Sequence, residues 1–171
     1  MRLEFGPGKL VRISDARIIW KNFAGEAKHY YMKGQYGFTL LIPDLETAEA
    51  LQNDKNKYGV GWNVSIKDGN EDSDPFMKLK VKINHDGPRP IDIYLDVNGK
   101  VTKLDKESSA MIDDISIRSV DLDISPNDGE GTFGPYRTAY LRAIWVYQEV
   151  DRFADRYDRR ARDIEDDYYG E

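Results

Sequence analysis

Phe76-Met77-Lys78-Leu79-Lys80-Val81-Lys82-Ile83-Asn84 alternates without a break, with Phe76, Lys78, Lys80 and Lys82 on one side and Met77, Leu79, Val81 and Ile83 on the other. A period of two residues with one basic and one apolar face is the pattern of a half-buried β-strand. Upstream, Asp68-Gly69-Asn70 and an acidic turn ending in Pro75 separate it from a predicted strand at residues 60–67. Earlier still, Leu45, Ala48, Leu51 and Gln52 recur at helical spacing after Pro43-Asp44, which predicts a short helix to about residue 57. Tyr36–Ile42 reads as a strand, and so do residues 9–20, which end in Arg17-Ile18-Ile19-Trp20. Residues 21–35 between them follow neither period and read as a long loop.

Downstream, residues 85–90 contain Gly87, Pro88 and Pro90 and form a turn. Residues 91–97 alternate Ile91, Ile93, Leu95 and Val97 against Asp92, Tyr94 and Asp96, then meet the hairpin signal Asn98-Gly99, with residues 101–104 as the return strand. Asp105 caps a predicted helical turn over residues 105–112. Residues 115–124 and 136–147 read as two long strands around a glycine-rich loop at 125–135. Beyond Gln148, the spacing of Val150, Phe153, Ala154, Tyr157 and Ala161 predicts a helix that grades into an acidic end. Seven or eight strands with one or two short helices make the chain mostly β, a barrel or sandwich rather than alternating βα units.

A chain of 171 residues holds one domain of ordinary size and a short appendage, so residues 1–150 are read as the domain and 151–171 as a C-terminal helix and acidic tail. Hydrophobic residues make up 40% and charged residues 33%, enough for a core beneath a charged surface, which argues against global disorder. The absence of cysteine excludes disulfides, thiolate zinc sites and a cysteine nucleophile, and suits a reducing compartment such as the cytoplasm. No run approaches about 18 apolar residues, and the opening lacks the apolar stretch of a signal peptide, so neither a membrane protein nor an exported one is expected. A formal net charge of -6 argues against a polyanionic ligand until it is located along the chain. Residues 163–171 contain five acids and no base, which leaves the preceding 162 residues at -1.

Two groups of residues are candidates for a single-stranded nucleic-acid site. Lys78, Lys80 and Lys82 place ammonium groups every 6.6–6.8 Å or so along one strand face, a spacing that can follow a phosphodiester backbone. Lysines also guard exposed strands against aggregation, and that reading stands beside the first. The loop after Trp20 interleaves rings and cations, of which Lys21, Lys28, Tyr30, Tyr31 and Lys33 are the candidate contacts. Flat rings stack on unpaired bases for about 1–3 kcal/mol each while lysines meet phosphates. Trp20 and Phe23, at the strand end, are better suited to the core.

Catalytic readings have less behind them. Asp121-Leu122-Asp123, with Asp113 and Asp114 upstream, has the residue types of a divalent-metal site, but acids two apart on a strand equally suit a wet sheet face. His29 and His85 are the only histidines, and neither has neighbours at metal-ligand spacing. No phosphate-loop, dinucleotide or nucleophile-elbow sequence occurs, and no helix start follows Gly129-Glu130-Gly131-Thr132-Phe133-Gly134. No catalytic residue, metal or cofactor is expected.

Ala16-Arg17-Ile18-Ile19-Trp20, the basic aromatic loop after it, Tyr36-Gly37-Phe38-Thr39-Leu40-Leu41-Ile42-Pro43 and Tyr136-Arg137-Thr138-Ala139-Tyr140-Leu141-Arg142-Ala143-Ile144-Trp145-Val146 are similar in arrangement to the single-stranded-DNA-binding proteins of tailed phages. That family consists of small replication proteins built on an OB-fold with a negatively charged C-terminal tail. The resemblance implies an OB-fold-like antiparallel barrel, enlarged by extra hairpins because an OB-fold ordinarily has five strands. It also implies binding of single-stranded DNA irrespective of sequence, a role in replication, recombination or repair of phage DNA in the host cytoplasm, and no enzymatic activity. A flexible polyanion carrying Tyr168 and Tyr169 would compete for a basic groove or dock replication or recombination proteins; the plain alternative is an ordinary terminus. A homodimer is compatible with this reading. The alternative from another class is a non-catalytic β-sandwich, a structural or interaction protein of a virion, whose charged surface is simple solvation.

Overall fold

The lysine-bearing stretch sits at the centre of the sheet. The computed structural model describes residues 1–28 and 31–150, so Tyr30 and the predicted C-terminal helix and tail at 151–171 lie outside the described residues. Ten strands are present among them: β1 (Arg2–Phe5), β2 (Val11–Ala16), β3 (Ile18–Asn22), β4 (Tyr36–Ile42), β5 (Ser65–Lys67), β6 (Phe76–Ile83), β7 (Asp92–Val97), β8 (Lys100–Leu104), β9 (Ile117–Gly131) and β10 (Gly134–Gln148). One α-helix, α1 (Leu45–Asn53), and short 3-10 segments at Pro7–Lys9 and Ser108–Asp114 complete the described fold.

Alternation in the sequence becomes two faces in the sheet. In β6, Leu79, Val81 and Ile83 are buried while Lys80 and Lys82 are exposed. In β10, Arg137, Ala139, Leu141, Ile144 and Val146 are buried, and Tyr136, Thr138, Tyr140, Trp145 and Tyr147 lie on the other face. Val11, Ile13, Phe38, Leu40, Ile93, Leu122 and Ile124 close the core, with Phe23 stacked on Phe38 at 5.7 Å. Trp20 and Phe23 are both core residues.

The mostly-β class holds, but the sheet is mixed and is not closed into an antiparallel barrel. Its path runs β1-β2-β9-β10-β6-β4-β3, with β5 on β6 and the β7–β8 hairpin on β10. β10 is antiparallel to β9 yet parallel to β6, where Tyr140 faces Lys82, and to β7, where Trp145 faces Tyr94. β6 and β7 therefore share one edge of β10 in succession. Such pairings join segments some fifty to sixty residues apart, and local alternation carries no information about them.

The predicted single strand at 9–20 is two. β2 pairs with β9 and β3 pairs with β4, so the chain crosses between the two ends of the sheet path at Ala16-Arg17-Ile18. Asp15 makes the corner with φ of 53°, its N–H donating to Asp121 Oδ1 at 2.9 Å. β1, absent from the sequence reading, pairs with β2. α1 is capped by Asp44, which accepts from the Thr47 N–H at 2.7 Å, and it ends at Asn53 rather than near residue 57.

The predicted strand at 60–67 shrinks to Ser65–Lys67, because residues 54–63 are tied to β9 and β10 by a polar network instead of a ladder. The predicted loop at 125–135 is a continuation of the β9–β10 ladder, turning only at Thr132-Phe133. Glycine weakens a strand by propensity, but here it admits a ring: a Cβ on Gly129 would lie 2.6 Å from the Tyr136 hydroxyl.

Candidate nucleic-acid interface

The outer face of β4, β6 and β10 forms the floor of the site. Lys78, Lys80 and Lys82 lie opposite Leu41, Thr39 and Gly37 of β4, and Tyr140 of β10 lies opposite Lys82. None of the three lysines has an ion-pair partner among the described residues. Burial first, and then the charges of Lys82 and Lys78, hold the Lys80 ammonium below its usual pKa; Lys78 is lowered by burial and by Lys67. A row of cations that repel one another without carboxylate partners gains from any polyanion laid along it.

The basic aromatic loop is built on Asn22, which is fully buried at its neck. The Asn22 side-chain amide donates to the carbonyls of Glu26 and Gln35 at 2.9 and 2.8 Å, and its Oδ1 accepts from the Glu26 N–H. Gly25 (φ 69°) closes against the Tyr36 ring, where no side chain would fit. From the far side, the Asp113 carboxylate accepts from the N–H groups of Phe23 and Ala24 at 2.8 and 3.0 Å and pairs with Lys28 at 3.7 Å. Tyr31, 8% exposed, donates its hydroxyl to the Trp20 carbonyl at 3.2 Å, and Lys80 Nζ stands 5.1 Å from the centre of its ring. Burial, reinforced by Asp113, pushes the Tyr31 phenol up to about 12.

The predicted contacts thus separate. Tyr31, Lys80 and Lys82 come together, with Lys78 next along the row. Tyr31 is a pedestal under Lys80 as well as part of the wall. Lys28 is engaged by Asp113, and Lys21 donates to the Ile115 carbonyl at 3.0 Å, which places both against the segment around the second 3-10 turn. Lys33 is exposed.

Tyr136, Thr138 and Tyr140 were not singled out from the sequence, although their alternation with Arg137, Ala139 and Leu141 marks them as one face. Tyr140 and Asn84 join Tyr31, Lys80 and Lys82 around a depression of about 240 Å³. On the other side of Lys80 and Lys82, a cleft of about 630 Å³ runs between them, Tyr136, Thr138 and the wall formed by residues 60–63. That wall is held by Arg137, 2% exposed, which forks onto Asp128 at 2.8 and 3.1 Å and donates to the Asp54 carbonyl at 2.7 Å beneath the Trp62 ring. Asn56 also donates to Asp128, at 3.0 Å, and Trp62 Nε1 donates to Asp54 Oδ2 at 2.9 Å. Burial alone would raise the Asp128 carboxyl; the hydrogen bonds from Arg137 and Asn56 and the charges of Arg137 and Lys9 outweigh it and hold the group below its usual value.

Three of the four acids considered as metal ligands have other partners. Asp121 accepts from the Tyr147 hydroxyl and the Asp15 N–H, Asp123 pairs with Arg12 at 3.1 Å, and Asp113 holds the loop. Among the described residues no group of three or more histidines or acids is arranged to hold a metal ion.

A family model of phage ssDNA-binding domains matches residues 5–167. No curated protein matches the chain. Among solved structures, the fold is similar to the single-stranded DNA-binding protein of bacteriophage Enc34 in three forms. For a C-terminal truncation the TM-score is 0.52 at 17% identity, covering 87% of this chain and 91% of that one. For a complex with ssDNA it is 0.52 at 15% identity, covering 88% and 93%. For a third structure of the Enc34 protein it is 0.51 at 15% identity, covering 90% and 93%.

Proposed function

Since the chain belongs to the family of phage ssDNA-binding domains, we propose that it binds single-stranded DNA along the outer face of β6 and β10, phosphates on Lys80 and Lys82 and bases against Tyr140 and Tyr136. The observation that carries this reading is the row of lysines without ion-pair partners beside outward-facing rings of the neighbouring strand. Ammonium groups and ring faces do not read base edges, so binding is independent of sequence. The complex of the Enc34 protein with ssDNA, on a similar fold, supports the same reading.

The protein acts by occupancy, without catalysis, in replication, recombination or repair of phage DNA in the host cytoplasm. No helix among the described residues is long and apolar enough to cross a membrane. Residues 1–150 are the binding domain, and the acids of residues 163–171 regulate access to the site or recruit replication or recombination proteins.

Fluorescence anisotropy with labelled oligonucleotides across a salt series, with and without magnesium, tests the reading. Retention without cleavage is expected. The Lys80→Ala/Lys82→Ala variant should weaken binding and reduce the slope of log K against log salt by about 1.4, since each single-strand phosphate contact contributes about 0.7. An unchanged slope removes this face from the site, cleavage in magnesium points to a nuclease, and no retention leaves the virion interaction protein as the better reading.

A further inference from the structure

A second depression, of about 450 Å³, lies on the other side of Tyr140 and Asn84, the two residues it shares with the depression over Lys80 and Lys82. Lys9, Arg89 and Arg142 line it from three separate parts of the chain. Arg142 is the extra residue of a bulge in β10, where the ladder to β9 skips from Leu141 opposite Ile124 to Ala143 opposite Asp123. A bulge interrupts a ladder and re-aims a side chain, and such irregularities concentrate beside binding sites. Arg142 Nε is buried with no hydrogen-bond partner among the described residues. A buried guanidinium N–H without an acceptor costs on the order of 1–3 kcal/mol, so its retention needs an acceptor that the described residues do not supply. Arg89 is exposed on the turn before β7 and has no ion pair among the described residues. The one carboxylate in the lining, Asp128, is already bonded by Arg137 and Asn56, with Lys9 at 3.8 Å.

We infer that the DNA strand continues past Tyr140 into this depression, where Arg142 and Arg89, with Lys9 at the rim, hold a further phosphodiester. The inference rests on the single-strand reading of the lysine face and extends it by a second, guanidinium-based contact. Guanidinium groups present planar forks of N–H donors that match phosphate oxygens two at a time, whereas the ammonium groups of Lys80 and Lys82 act as point charges. The lysine face therefore tracks the backbone loosely, and the arginine depression fixes its exit.

The test uses the full chain and oligothymidylates of graded length, from about 4 to about 16 nucleotides, the range over which single-strand-binding OB-folds differ in site size. For the long oligonucleotides, Arg89→Ala/Arg142→Gln should weaken binding on the order of 5-fold at about 0.1 M salt and lower the salt slope by about 0.7, the share of one phosphate, whereas the shortest should bind as they do to the wild type. Arg142→Lys, which keeps the charge but not the fork, should restore the slope more fully than the affinity. If the double variant melts early, Arg89→Glu alone decides, because Arg89 is exposed and its reversal must weaken long-oligonucleotide binding. A folded double variant, or Arg89→Glu, that binds long oligonucleotides with wild-type affinity and slope overturns the inference while the lysine-face reading stands. Failure of the wild type to retain any oligonucleotide overturns both.

Discussion

Tyr31 shows how a residue's role depends on what covers it. In the sequence it is a ring in a basic loop, suited to stacking on a base. In the fold its ring lies against Gly37 and beneath the Lys80 ammonium, and its hydroxyl is bonded to the Trp20 carbonyl. Its phenol is raised to about 12 in the folded protein against an ordinary 10, so above pH 10 the unfolded chain loses that proton first. The stability Tyr31 contributes is therefore whole below pH 10 and is lost as pH rises from 10 to 12, by up to about 3 kcal/mol. Tyr31→Phe should cost about 1 kcal/mol at neutral pH through the lost hydrogen bond, and the variant should escape the alkaline loss. Urea unfolding of both proteins at pH 8 and pH 11 checks this; a constant difference between them would refute it.

At the scale of elements, the β9–β10 hairpin and the segment it carries decide the shape of the cleft. Arg137 sits on the buried side of β10 among apolar neighbours, where alternation predicts an aliphatic side chain, and its partners are Asp128, directly opposite on β9, and Asp54, more than eighty residues away. Arg137→Met should destabilise the protein by about 3–5 kcal/mol, because it strands carboxylates that the guanidinium had compensated. The wall at residues 60–63 should loosen with it, which hydrogen exchange of the Trp62 N–H, bonded to the Leu51 carbonyl, would report. At the turn of the same hairpin, Phe133 is fully exposed, and Phe133→Ala should change stability by no more than about 0.5 kcal/mol in a thermal melt. The contrast is between two residues four apart on one hairpin, one clamped and one free of contacts.

At the scale of the molecule, charge placement governs approach. Residues 163–171 hold five of the net negative charges, and their removal takes the formal charge from -6 to -1. Truncation after Arg162 should quicken association with single-stranded DNA and raise affinity at low salt, because long-range repulsion falls. The full-length and truncated isotherms should converge at high salt, as screening shortens the Debye length from about 8 Å at physiological ionic strength to about 3 Å at 1 M. Equal or weaker binding by the truncation at low salt would exclude a regulatory role for these acids. Such a result would leave recruitment of other proteins as their function.

Period-two alternation was sufficient to locate β6 and β7, and with them Lys78, Lys80 and Lys82 as a single basic face. It suffices because burial of one sheet face is a local constraint, written residue by residue along the strand. Only the tertiary structure decided that β10 runs parallel to β6 and β7, that Tyr140 lies beside Lys82, and that Arg142 and Arg89 line one depression next to Tyr140. These depend on which distant strands share an edge and where a ladder slips by one residue, and neither leaves a period in the sequence. The same holds for the loop after Trp20, whose cations were plain in the sequence but whose direction was set by Asp113, some ninety residues away.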